Sequence, residues 1–202
     1  TPAPTPDATP TPTTTSEAAD ELPSDVSDLA SDDVVALSPE AVSDLTADQV
    51  SDLSADAVSA FVPKQIKELS ADAFSGFSET QVAAFSSRVV RSFSADQLSA
   101  ISPKALQSFS ADQLERLSDE AVSGFIPKQI KKLSADAFSG FTKSQVAELS
   151  PRAVKGFNAD QVEQLSKRAF KALEPNQLAK LSKDALSGLT TTQLGTLSGD
   201  EL

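Results

Sequence analysis

The sequence contains no cysteine, histidine, methionine, tryptophan or tyrosine. Without cysteine and histidine it has no disulfide framework, no thiolate metal site and no catalysis that depends on either side chain. Serine and aspartate are plentiful, but a Ser-His-Asp triad needs the missing histidine, and paired carboxylates have no evident cleft. We therefore expect a protein that is not an enzyme, with no catalytic, metal-binding or cofactor-binding residue and no cofactor.

Positive charge is missing from the first third of the chain. Residues 1–63 hold thirteen acidic residues and no lysine or arginine, whereas residues 126–183 hold eleven basic and five acidic residues. With a net charge of −12, nucleic acid is not an expected partner. This polarity permits two interpretations: a solvated surface, or docking of the acidic start of one molecule on the basic end of the next. The basic stretch would also permit weak binding to anionic glycans.

What the sequence does contain is one eight-residue unit, best seen at 110–117. It recurs twenty-two times from residue 22 to residue 197 without an insertion or deletion. Position 5 is always Val, Leu, Ile or Phe, position 8 is always Leu, Phe or Ile, and position 1 is Ser or Thr in sixteen units. Such a fixed period is the signature of a repeat architecture.

Each unit has the pattern of a helix start. Ser or Thr at position 1 can cap the first turn, and proline, which suits the first helical position, occupies position 2 in seven units. Where position 4 is Gln, it completes a capping box, and the aliphatic residues before the cap and at position 5 form a hydrophobic staple. The clearest predicted caps are Ser54, Ser70, Ser94, Ser110, Ser134 and Ser150. Asp at position 3 complements the helix dipole, and we prefer that role to a calcium site.

A continuous helix is excluded, because eight residues overshoot two helical turns by about 80° and recurrent proline would break it. A strand is excluded because apolar residues do not alternate with period two. The sequence therefore predicts an all-α solenoid of short capped helices, which are unstable alone and must stack on their neighbours.

Two octads make one chemical repeat of sixteen residues and two helices. Position 4 alternates between Ala and Gln from residue 41 to residue 193, with one exception at Val89. Units with Ala at position 4 mostly have Phe at position 8, preceded at position 7 by a small residue that permits close backbone approach. Units with Gln at position 4 mostly have Leu at position 8. The predicted core includes Phe61, Phe77, Phe109, Phe125, Phe141 and Phe157. We infer one solenoid turn per sixteen residues, and hence a rod of eleven turns and on the order of 100 Å.

The predicted domains follow from composition. Residues 1–21 form a Thr/Pro-rich extended stalk, either a plain linker or a segment O-glycosylated outside the cell, and they contain no signal peptide or transmembrane segment. The candidate O-glycosylation sites are Thr5, Thr9, Thr11, Thr13, Thr14 and Thr15. Residues 22–202 form the octapeptide-repeat solenoid, with a degenerate cap at 22–37. Residues 198–202 are a partial unit, so we expect the array to continue in a longer protein or in the next molecule of an assembly.

The motif [Ser/Thr]-x-x-Gln-[Val/Ile/Leu]-x-x-Leu, as in residues 46–53 and 158–165, resembles the octapeptide arrays of large secreted or surface repetitive proteins of microbes. The resemblance covers residues 38–197 and departs from the pattern where Ala replaces Gln and where Val62, Ile126 and Glu174 replace the cap. It implies an extracellular or cell-surface structural or adhesive role. We expect a structural repeat protein that builds a fibre, matrix or appendage by self-association; the alternative is a monomeric adhesion module that presents a repeat face to protein or glycan.

Overall fold

The structure, a computed structural model, describes residues 21–23 and 25–197. Within these ranges the chain forms twenty α-helices of four to six residues and one 3-10 helix, with no β-strand. The protein is therefore the all-α solenoid of short helices that the octad predicts. The six stalk threonines and the partial unit 198–202 lie outside the described residues.

Units with Gln at position 4, called Gln units below, form the longer helices. Most of them contribute six helical residues and extend to position 7 of the unit. Their helices are Ala47–Asp52, Pro63–Glu68, Glu79–Ala84, Ala95–Ala100, Ala111–Arg116, Pro127–Ile130, Lys143–Glu148, Ala159–Gln164, Pro175–Leu178 and Thr191–Leu194. The first helix of the chain, Ser31–Ala36, lies in the degenerate unit 30–37 and is also six residues long.

Units with Ala (or Val89) at position 4, called Ala units below, form helices of four or five residues. Their helices are Pro39–Ser43, Ala55–Ser59, Ala71–Ser75, Ser87–Val90, Asp119–Val122, Ala135–Phe138, Pro151–Val154, Lys167–Phe170 and Lys183–Ser187, and the 3-10 helix Ala105–Ser108 completes the set. Helices of this length gain little from helix propensity, so packing must hold them.

After most six-residue helices of the Gln units, two extended residues lead into the next helix, whereas the C-cap residue of an Ala-unit helix, such as Ala60, stays in the αR region. In the junction after Ala47–Asp52, Leu53 has ψ 140° and the next N-cap, Ser54, has ψ 155°. These values end one helix and point the chain into the next one. No described residue has a positive φ, so these corners are made without any left-handed residue.

Each helix stacks on the helix three units further along the chain. Ala55–Ser59 packs on Glu79–Ala84, and Ala71–Ser75 packs on Ala95–Ala100, as examples. Hydrogen bonds between turns join residues 28 and 31 positions apart, as from Gln81 to Leu53 and Val50. One superhelical turn therefore takes about three and a half units, near 28 residues.

The inference of one solenoid turn per sixteen residues is wrong, although the sixteen-residue chemical repeat remains. The reason lies in the interior, which the apolar side chains of at least three successive units share. Phe85 contacts both Phe77 and Phe93, from the units before and after it, at ring-centroid distances of 4.8 and 5.2 Å. Residues 22–197 thus make about six turns, and with helices 8–10 Å apart the array is about 55 Å long.

Residues 22, 23 and 25–29 close the N-terminal end without forming a helix. Val26 is buried at 3% exposure, and Leu22 and Leu29 pack partly buried against the core. The Ser27 hydroxyl and backbone N–H donate to Asp25 at 2.7 and 3.0 Å, and these bonds lower the pKa of that exposed carboxyl. The degenerate unit therefore keeps the apolar positions of an octad and covers the first turn with them.

Candidate functional site

The six serines singled out as caps all sit at helix N-termini. Each side-chain oxygen accepts from the backbone N–H three residues later, at distances of 3.0 to 3.2 Å. The pairs are Ser54 with Ala57, Ser70 with Ala73, Ser94 with Gln97, Ser110 with Gln113, Ser134 with Ala137, and Ser150 with Ala153. These hydroxyls satisfy one orphan donor per helix. A face of free serine hydroxyls is not formed at these positions.

Three Gln units lack a capping side chain: those that begin with Val62, Ile126 and Glu174. The glutamine at position 4 still accepts from the backbone N–H of each first residue, at 3.0, 3.0 and 2.7 Å. All three units carry proline at position 2, which supplies the helical φ without the cap. Half of the capping box is therefore enough to start these helices.

The glutamines have a second role that the sequence did not reveal. Nine of them are buried, and each Nε2 donates to two backbone carbonyls of the unit that lies four units earlier. Gln145, for example, donates to the Leu114 and Leu117 oxygens, both at 2.8 Å. The nine are Gln65, Gln81, Gln97, Gln113, Gln129, Gln145, Gln161, Gln177 and Gln193. We call them the staple glutamines, because each one joins two turns.

The number of units per turn explains the alternation of Gln and Ala. With about three and a half units per turn, each unit contacts both the third and the fourth unit before it. Because Gln units and Ala units alternate, the third unit before is of the other kind and the fourth is of the same kind. The staple bonds run between like units, four apart, whereas the close backbone contacts run between unlike units, three apart.

Glycine at position 7 of the Ala units is where this approach occurs. A Cβ built on Gly140 would lie 2.1 Å from the Ala111 carbonyl oxygen, in the Gln unit three units earlier. Ser108, at the same position of its own unit, uses the contact by donating to the Glu79 oxygen at 2.7 Å. A small side chain at position 7 is therefore a condition of the stacking distance.

The six phenylalanines assigned to the core lie in the interior of the superhelix. Their exposures are between 1% and 3%: Phe61, Phe77, Phe109, Phe125, Phe141 and Phe157. Edge-to-face pairs connect several of them along the axis, as between Phe138 and its neighbours Phe141 and Phe157 at 5.1 and 5.0 Å. Every one of the eleven phenylalanines is buried. None of these rings forms an exposed ligand cage.

The last described turn leaves apolar side chains uncovered. Leu186 and Leu194, at position 5 of their units, are 46% and 39% exposed, whereas the equivalent Val146, Val154 and Val162 are at 0%. The interior residues are covered by the following turn. We call the surface that carries Leu186 and Leu194 the C-terminal face. It exposes the same apolar positions that are buried between turns elsewhere in the array.

The described ranges contain no group of three or more acidic side chains arranged to hold a metal ion, so the periodic aspartates do not converge. The longest helices there have six residues, and none of the described helices could cross a lipid bilayer. No family model matches the chain, and a search of curated proteins finds no match.

Proposed function

We propose that this protein is a structural repeat module that builds or lengthens an extracellular fibre, matrix or surface appendage by end-to-end stacking of solenoids. The observation that carries the proposal is the C-terminal face. Leu186 and Leu194 occupy positions that are fully buried everywhere inside the array. Exposed apolar surface of this kind marks a place of association, and a further turn of the same type is the shape that fits it.

The direction of the staple bonds supports the same proposal. Every staple glutamine donates toward the N-terminal side, so the Gln unit 174–181 receives no such bond among the described residues. Its Leu178 and Leu181 carbonyls are the acceptors that a following Gln unit would use.

Charge also favours this order of stacking. All charged side chains up to residue 63 are acidic. Residues 126–183, in contrast, carry eleven basic and five acidic side chains. The basic stretch reaches the last described turn at Lys180 and Lys183, which Glu174 and Asp184 balance, so charge can steer an acidic start toward this part of the array without making the C-terminal face itself basic. The contact is heterologous, so it can repeat into a filament without closing. An extracellular location rests on the resemblance to secreted octapeptide arrays and on the Thr/Pro-rich start of the chain.

Electron microscopy of the purified protein at low and at high salt tests this function. Filaments that shorten as salt rises would support stacking steered by charge, since exposed charges are screened within about 8–10 Å at physiological salt. Filaments that are indifferent to salt would support stacking through the apolar face. Single rods of about 55 Å at every concentration would contradict the proposal and favour a monomeric adhesion module instead.

A further inference from the structure

Three of the five arginines of the chain meet on one side of the array. Arg88 and Arg91 belong to the unit 86–93, Arg116 belongs to the unit 110–117, and the helices of these two units stack directly. One open concavity of about 330 Å³ is lined by Ser87 and the three arginines. A second of about 380 Å³ is lined by Arg91, Glu115, Arg116, Leu117, Ser118 and Asp119. Arg91 and Arg116 line both, so the two adjoin; we call Arg88, Arg91 and Arg116 the first basic cluster.

Helix stability does not account for Arg88. It occupies position 3 of its unit, in the first helical turn, where ten of the twenty units between 38 and 197 carry Asp or Glu. A cation there opposes the helix dipole and weakens the helix by a few tenths of a kcal/mol. The three side chains are exposed, so the packing of the core does not require them either. Neither requirement explains why three cations lie together, and a solvated surface does not need them in one place, so a bound anion is the physical reason that we test.

The same arrangement returns sixty-four residues later as Arg152, Lys155 and Lys180, which we call the second basic cluster. The helices Pro151–Val154 and Pro175–Leu178, which carry or directly precede these residues, stack on each other as their counterparts do. All three side chains are again exposed. The same three positions of the repeat therefore carry basic residues in both clusters.

The residues around the two clusters differ, whereas the basic residues of the clusters are present in both. The units 110–117 and 174–181 differ at five of eight positions, yet position 7 is basic in both. The acidic Glu115 and Asp119 beside the first cluster correspond to Ala179 and Lys183 beside the second. The second cluster is thus accompanied by a fourth cation, Lys183, and by neither of those carboxylates, so we expect it to attract an anion more strongly.

The surroundings select the kind of anion. A guanidinium group binds the oxygens of sulfate, phosphate or carboxylate through paired hydrogen bonds. Every phenylalanine is buried, so no exposed aromatic ring is present on which nucleic-acid bases could stack. The exposed large apolar residues of the described chain lie outside both clusters, so there is no apolar anchor for a lipid surface. A hydrophilic polymer with repeated oxyanions remains.

We propose that the two basic clusters bind the sulfate groups of an anionic polysaccharide. Such a chain can follow the outside of the superhelix and reach both clusters, so the second contact is made at a raised effective concentration. This site lies on the side of the array and does not depend on end-to-end stacking. It would let a fibre or a single rod hold a sulfated glycan.

The test measures heparin binding by the full chain with calorimetry at low salt. One variant combines Arg88→Gln, Arg91→Gln and Arg116→Gln, and another combines Arg152→Gln, Lys155→Gln and Lys180→Gln. A matched control combines Lys64→Gln, Lys67→Gln and Lys143→Gln, which removes the same charge from exposed positions outside the clusters. Circular dichroism verifies that all variants keep the helix content.

Each cluster variant should weaken heparin binding about tenfold, because three exposed ion pairs with the glycan are removed together. The control should change it less than about twofold, because distant exposed charges are screened. Equal weakening in the control and the cluster variants would overturn the proposal, and so would no binding by the unmodified chain. De-sulfated heparin should bind weakly; if it or double-stranded DNA bound as well as heparin, sulfate recognition would be wrong.

Discussion

Replacement of one staple glutamine tests whether the inter-turn bonds hold the solenoid. Gln161 is 1% exposed, and its Nε2 donates to the Ile130 and Leu133 carbonyls, both at 2.8 Å. Its Oε1 accepts from the Asn158 backbone N–H at 3.1 Å. Gln161→Ala removes all three bonds and leaves the Leu133 oxygen and the Asn158 N–H without the partner they have in the described structure.

The expected destabilisation follows from these bonds. Each is worth about 1 kcal/mol net, and a buried group left unpaired costs about 1–3 kcal/mol, so the free energy of unfolding should fall by about 3 kcal/mol. Gln164→Ala is the matched control, because it makes the same substitution in the same helix at an exposed position. It should change the free energy of unfolding by less than about 0.5 kcal/mol.

Urea unfolding followed by circular dichroism measures both variants, since the chain has no tryptophan or tyrosine to report by fluorescence. The slope of free energy against urea has to match that of the unmodified protein, because repeat arrays can unfold in parts. If Gln161→Ala were as stable as Gln164→Ala, the staples would contribute nothing. The stacking would then depend on the apolar core alone.

Further substitutions test the other parts of the repeat by the same unfolding measurement. Gly140→Ala should cost about 1–3 kcal/mol through its clash with the Ala111 carbonyl, whereas Gly195→Ala, with no atom nearer than 3.4 Å, should be neutral; equal effects would contradict the close approach. Phe109→Ala should cost roughly 3–5 kcal/mol, and an unchanged stability would place this ring outside the core. Ser110→Ala should cost about 1 kcal/mol through the missing cap, and an unchanged melting temperature would make the cap bond irrelevant.

Local features of this fold follow directly from the octad. A cap residue such as Ser110, followed by a capping box and an aliphatic residue four positions later, specifies where each helix starts without reference to the rest of the chain. Burial at positions 5 and 8 follows as well, because only these positions are always apolar. Such information is local, and it is the same in every unit.

The stacking of the units depends on contacts between residues far apart in the chain, and here the prediction of one turn per sixteen residues was wrong. The alternation of Gln and Ala suggested a turn of two units, because it is the only period longer than the octad along most of the chain. The turn instead contains at least three units, because successive units share one interior, as the contacts of Phe85 with Phe77 and Phe93 indicate, and helices stack three units apart. The signal that could have corrected this is glutamine itself: a capping box uses only its oxygen, and its two N–H donors need buried acceptors.

The basic clusters were likewise hidden in the sequence. Arg91 and Arg116 are twenty-five positions apart, and nothing in their own units links them. They come together because one superhelical turn takes about 28 residues. A surface of this kind can be found in a sequence only after the number of residues per turn is known.

The most direct test of end-to-end stacking is sedimentation of the chain with a charge placed on the C-terminal face. Leu194→Glu changes a leucine that is 39% exposed on this face, and Val62→Glu changes a side chain of equal exposure at a unit start, where Glu174 already occupies the equivalent position. The proposal predicts concentration-dependent assemblies for the unmodified protein and for Val62→Glu, and monomers for Leu194→Glu. Assembly by Leu194→Glu at the level of the unmodified protein would contradict stacking through this face.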